Sequence, residues 1–154
     1  MTASASGATT GDVAAYFGVP DPAELAVSAR SSLQRVRRIC LALPDANERE
    51  SHGAPTFFIR DKRSFVTYMD NHHDDGRLAL WCASSSDVQQ MLATSRPEQF
   101  FVPPYVGHLG WIGVRLDRDL SWNEIVGVIK AAHAVVMARL SGSRRSAAKA
   151  RRST

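Results

Sequence analysis

The chain has 154 residues, a formal net charge of +4, 44% hydrophobic residues and 22% charged residues. That length suits one domain that buries a core without metals or disulfides, and no run nears the ~18 apolar residues of a membrane span. Met1 to Gly11 holds neither the basic nor the apolar segment of a secretory leader, so a cytoplasmic location with no membrane partner is expected.

The charge is unevenly placed. Of the 19 Lys and Arg, five (Arg144, Arg145, Lys149, Arg151 and Arg152) crowd the C-terminal end without an acid, which leaves 14 cations against 15 acids elsewhere. A stretch of Ser, Arg, Ala and Lys has little to bury, so residues 142–154 are expected to form a disordered basic tail that attracts polyanions by charge alone. Residues 1–20 are weakly patterned and are expected to be a flexible extension, with Val13 to Val19 as a short helix or loosely docked stretch. The folded body is placed at residues 21–141.

Asp21-Pro22-Ala23-Glu24 reads as a helix start, with an N-cap acceptor, a proline in the first turn and a capping-box glutamate. Leu25, Ala29, Leu33, Val36, Ile39 and Leu43 then recur at helical spacing until Pro44, which predicts a helix from Pro22 to Ala42. Three β-rich runs follow, Glu48 to His52, Thr56 to Arg60 and Ser64 to Met69, and Arg77 to Cys82 is a fourth. Their short turns allow only antiparallel pairing. Ser86 is expected to cap a short helix to Thr94 with Val88, Met91 and Leu92 inward, and Pro97 to start a helical turn into Phe100 and Phe101. Residues 102–110 are too rich in proline and glycine for regular structure. Trp111 to Leu116 reads as the last strand. Ser121 and Glu124 form a second capping box before a helix striped by Trp122, Ile125, Ile129, Ala132, Val136 and Leu140. The fold class expected is α+β, a two-layer sandwich of an antiparallel sheet with two main helices on one face.

The sequence holds no phosphate loop, dinucleotide fingerprint or nucleophile elbow, so no enzyme activity and no cofactor are expected. Cys40 and Cys82 sit in apolar runs and read as buried free thiols. His72, His73, Asp74 and Asp75 share one loop, but a metal site wants ligands from several fixed elements, so the loop reads as a solvated turn and no metal is expected. His52, beside the Gly53-Ala54-Pro55 turn, and His108 are the titratable groups best placed for anion binding or proton transfer, with a structural hydrogen-bonding role as the plainer reading. His133 reads as a packing residue on the last helix.

Four motifs, in order, carry a resemblance: Leu41-Ala42-Leu43-Pro44 with Glu48 to Phe57; Arg77-Leu78-Ala79-Leu80-Trp81; Phe100 to Gly107; and Gly110-Trp111-Ile112-Gly113-Val114-Arg115-Leu116. Over about Pro22 to Leu140 the chain resembles the MmcQ/YjbR family. The resemblance implies a fold like bacterial frataxin (CyaY-like) and a DNA-binding role through a double-wing motif. Iron handling in that fold uses an acidic first helix, whereas this one carries Arg30, Arg35, Arg37 and Arg38 against Glu24, which excludes it here.

If the wings are the hairpin turns, Arg60, Lys62 and Arg63 form the first and Arg77 ends the second, where Asp74 and Asp75 oppose a phosphate backbone. The leading expectation is therefore a non-enzymatic, DNA-binding regulatory domain that contacts phosphates. The alternative is a small-ligand or protein-interaction module whose groove is lined by His52, Gly53, Pro55, Tyr105, His108 and Trp111. Tyr105, freed by the prolines before it, would either stack on a base or pin its own loop.

Overall fold

The computed structural model describes residues 22–152, with side chains from Arg30 to Gly142. It divides into two units, residues 1–34 and 35–154. The division falls inside the first helix, later than the expected boundary at residue 21, and the expected extension over residues 1–20 lies outside the described residues. In the first unit the described part is the helical backbone of α1 (Pro22–Leu41), which ends in the second.

The second unit is an α+β layer structure. Six strands, β1 (Ala46–Ser51), β2 (Ala54–Ile59), β3 (Arg63–Asp70), β4 (Leu78–Cys82), β5 (Phe100–Phe101) and β6 (Ile112–Arg115), make one antiparallel sheet in the order β1-β2-β3-β4-β6-β5. Helices α2 (Ser86–Ser95) and α3 (Trp122–Arg152) complete it. Strand alternation sends Phe57, Ile59, Val66, Tyr68, Leu80 and Cys82 to one face, where all are buried. Phe65 is the extra residue of a bulge, since Val66 pairs with Phe57 while Ser64 already pairs with Phe58. It joins the same core, edge-on to the His133 ring 5.2 Å away.

Helix α3 supplies the cover for this face. The Ser121 hydroxyl accepts from the Glu124 amide, and the stripe of Ile125, Ile129, Ala132 and Val136 is buried, with each isoleucine contributing about 1.5–3 kcal/mol. Trp122–Gly142 is long and apolar enough to cross a bilayer, but those four residues are spent on the sheet. His133 is a buried packing residue whose Nε2 lies 2.8 Å from the Pro44 carbonyl. The last turns of α1 add Val36 and Cys40 to the core. Cys40 and Cys82 are both free thiols, and burial pushes both far above the ordinary range.

Four expectations change. The α2 N-cap is Ser85, whose hydroxyl accepts from Val88 N, one residue before the expected cap. No residue of α2 is buried, and Met91 is 57% exposed, because this helix flanks the short strand β5 rather than lying on the sheet. Phe100 and Phe101 form β5 and pair with Val114 and Gly113 instead of closing a helical turn. Finally, the backbone is helical through Arg152, so the segment expected to be disordered prolongs α3: Ala147, Ala148 and Ala150 among Arg and Lys are strong helix formers, and no proline interrupts them.

A carboxylate closes the end of the sheet. Asp117 accepts from Arg115 Nε at 2.9 Å, Arg115 Nη2 at 3.0 Å and Leu78 N at 3.3 Å, tying the end of β6 to the start of β4. Burial alone would raise its pKa, but the bonds from Arg115 and Leu78 outweigh that and hold the carboxyl below the usual range. A carboxyl lowered by folding stabilises above its unfolded pKa of about 3.9 and loses that contribution as pH falls through the folded value. Asp117→Asn should therefore cost about 1 kcal/mol at pH 7, and the gap should close as pH falls through the lowered folded value. Urea denaturation across that range checks this, and a gap independent of pH would contradict it.

Candidate ligand-binding cavity

The sheet's other face has its own chemistry. The strand registers place Arg49, Thr56, Thr67, Trp81, Gly113 and Phe101 in one row across all six strands. Large residues at the ends of the row enclose small ones, which leaves a hollow over β2 and β3. Gly113 belongs to this row because the Phe101 ring lies where a side chain would stand. Arg77 in turn stacks over Phe101 at 4.1 Å, and Arg49 over Phe58 at 3.8 Å.

The segment between β5 and β6 closes this face. Gln89 of α2 donates from Nε2 to the carbonyls of Gly107 at 2.8 Å and Trp111 at 2.6 Å, which clamps the strap at two points. Gly110 sits between them with φ +89°, and a Cβ there would stand 2.8 Å from the Ser86 amide nitrogen, so only glycine fits. Near the β2–β3 turn, Leu109 and Trp111 of the strap share a groove with Lys62 and Arg63. At the loop after β3, Tyr105 meets the rings of His72 and His73 edge-on at 6.2 and 6.3 Å.

The result is a cavity of about 590 Å³. Its floor is Thr56, Phe58, Thr67, Met69 and Trp81 from the sheet; its walls are Ser51 and His52, His72 and His73, and Tyr105, Val106 and Trp111 of the strap. Two buried polar atoms in this lining have no hydrogen-bond partner among the described residues, His72 Nε2 and Trp81 Nε1. Their rings stand edge-to-face at 5.0 Å. Three lining residues that are not glycine, His52 (φ 52°), His73 (φ 51°) and Tyr105 (φ 66°), hold left-handed backbone. Each costs about 1–2 kcal/mol, and such strain concentrates at ligand clamps and active sites.

Of the six residues expected to line a groove, the structure brings His52, Tyr105 and Trp111 together; Gly53, Pro55 and His108 are not in the lining. His108 is exposed on the short turn Gly107–Leu109. The turn His72–Asp74 is solvated as expected, with His73 and Asp74 exposed, but the His72 ring folds in against Trp81 and both imidazoles border the cavity. Among the described residues no three His, Cys, Asp or Glu side chains gather as metal ligands.

The cations expected to contact DNA are dispersed. Arg60 is paired with Asp45 at 2.9 Å, and the Asp61 carboxylate beside it is held by Arg49 and Asn47, whose hydrogen bonds lower its pKa. Arg77 lies at the far end of β3 from Arg63, about 23 Å away at about 3.3 Å per residue, so the two turns do not share a surface. Lys62 and Arg63 form no ion pair among the described residues and line a second groove with Arg139.

Sequence reasoning missed Thr56, Phe58, Thr67, Met69 and Trp81. The signal was present: β4 reads Leu-Ala-Leu-Trp-Cys and β3 holds Phe-Val-Thr-Tyr-Met, apolar on both parities, which marks a strand covered on both faces.

No curated protein matches the chain. Its fold is similar to that of the Deinococcus radiodurans protein DR2400, a DUF419 domain solved by crystallography, with a TM-score of 0.57 at 16% identity over 68% of this chain and 77% of that one. The YjbR family model matches residues 41–135, a span that takes in every strand and the whole cavity. The chain therefore belongs to the YjbR family.

Proposed function

We propose that this domain is a non-enzymatic, cytoplasmic binding module whose site is the strap-covered cavity, and that its ligand is a small flat molecule bearing a hydrogen-bond acceptor. The observation that carries this reading is a cavity of about 590 Å³ lined by Trp81, a residue 4% exposed whose indole N–H has no hydrogen-bond partner among the described residues. A buried donor left unpaired costs about 1–3 kcal/mol, which an incoming acceptor recovers. The volume lies in the ~300–1,000 Å³ range of small-molecule sites. The polar groups of the lining are hydroxyls, imidazoles and indole N–H groups, all able to hydrogen-bond a ligand.

Quinoline has a flat ring with one acceptor nitrogen, and naphthalene has the same shape without it. Calorimetry should give saturable quinoline binding, with naphthalene about tenfold weaker. Thr67→Trp, which fills the floor, should abolish both. The absence of saturable heat, or binding undiminished by Thr67→Trp, would refute the reading.

A second reading, contact with duplex DNA through phosphates, is favoured by one observation. The groove with Lys62, Arg63 and Arg139 is bordered by α3, which runs on to Arg152 through five further basic residues. Retardation of a duplex should then weaken by orders of magnitude between about 50 and 200 mM salt. A chain ending at Ser143 should still bind at low salt and lose binding in Lys62→Ala/Arg63→Ala, while Arg77→Ala changes nothing. Binding that ignores salt, or that needs only the residues after Ser143, would count against a site on the folded body.

A further inference from the structure

We propose that the cavity's ligand is an aromatic anion, a carboxylate or a phosphate monoester, whose ring occupies the cavity while its charged group lies at Lys62, Arg63 and Arg139. This rests on the cavity being a ligand site and adds the class of ligand.

A second groove of about 540 Å³ shares Phe58, Ser64 and Trp111 with the cavity, so the two spaces adjoin at those side chains. Their characters differ. The first sets Phe58, Trp81, Tyr105 and Trp111 among hydroxyls and imidazoles; the second adds Lys62, Arg63 and Arg139 beside Leu109 and Val136, and neither lining contains an Asp or Glu.

The nearby carboxylates are engaged elsewhere. Asp61 is held by Arg49 and Asn47 and Asp45 by Arg60, so neither answers the three cations. Arg139 donates Nη2 to the Ser84 carbonyl at 3.2 Å, which fixes the guanidinium and leaves other N–H donors open. Three like charges around one groove repel one another, and an anion among them removes that repulsion while gaining charge-assisted hydrogen bonds.

The same observations select against other ligands. An aromatic cage for a cationic ligand would need to tolerate three adjacent cations with no acid to offset them. A saturated chain would use the volume but not the rings of Phe58, Trp81, Tyr105 and Trp111, which favour stacking or edge contacts with a flat ring. Carboxylate and phosphate both offer the acceptor that the Lys62–Arg63 end calls for.

The test uses the full chain and three probes of one shape: 2-naphthoate, 2-naphthyl phosphate and neutral methyl 2-naphthoate. Calorimetry should show at least one anion binding tenfold or more tighter than the ester, and the tighter anion identifies the preferred head group. Lys62→Ala/Arg63→Ala should bring the anions down to the affinity of the ester and leave the ester unchanged, with an amide spectrum showing the fold intact. Equal binding of ester and anions, or anion binding indifferent to that variant, would overturn the proposal and leave the cavity reading standing. Binding of none of the three would overturn both.

Discussion

The two faces of one sheet are covered by unlike means, and everything else in the molecule depends on that asymmetry. One face receives the apolar stripe of α3, where Ile125, Ile129 and Val136 are buried and His133 meets Phe65 edge-on in a close-packed core. The other face receives the strap between β5 and β6 and the turn His72–Asp74. A strap cannot interdigitate with a sheet as a helix does, because it has no continuous apolar stripe, so it spans the face and leaves space beneath. Gln89 and Gly110 hold it in place: one amide bonds two strap carbonyls, and the missing Cβ lets the backbone approach Ser86.

Local strain follows the same geometry. The chain turns tightly at His52, His73 and Tyr105 to bring rings over the hollow, and each position holds a left-handed backbone that asparagine or glycine would adopt at lower cost. Imidazole and phenol side chains stand there instead. Two nitrogens, on His72 and Trp81, remain buried without partners among the described residues. A fold optimised only for stability would replace such groups with apolar ones of the same shape. Their presence around a single cavity links the local conformation to the proposed binding role.

Much of this was legible in the sequence, and the failures have physical causes. The meander was readable because short turns at Gly53 and Lys62 forbid parallel crossovers, and α3 was readable from Ser121, Glu124 and its stripe. The α2 face was misread because Val88, Met91 and Leu92 have helical spacing, yet that helix flanks a two-residue strand and has no layer to bury against. The C-terminal segment was misread because composition reports what can be buried, whereas alanine and arginine prolong an existing helix without burial. Half of the groove was anticipated from the turn and strap residues His52, Tyr105 and Trp111. The floor was not, since Thr67 and Trp81 become neighbours only through pairing across strands. Single-residue charge was the least reliable guide: Arg60, Lys62 and Arg63 are close in sequence, but Asp45 takes the first out of play.

The central claim is that the cavity beneath the strap is a binding site, and the indole N–H of Trp81 is its most direct reporter. In a spectrum of the ¹⁵N-labelled protein, assigned with a Trp81→Phe variant, quinoline should move the Trp81 indole resonance downfield in a saturable way as its ring nitrogen reaches the proton. A Trp81 signal that stays fixed while the protein is saturated with the ligand would show that binding occurs elsewhere and would contradict the account.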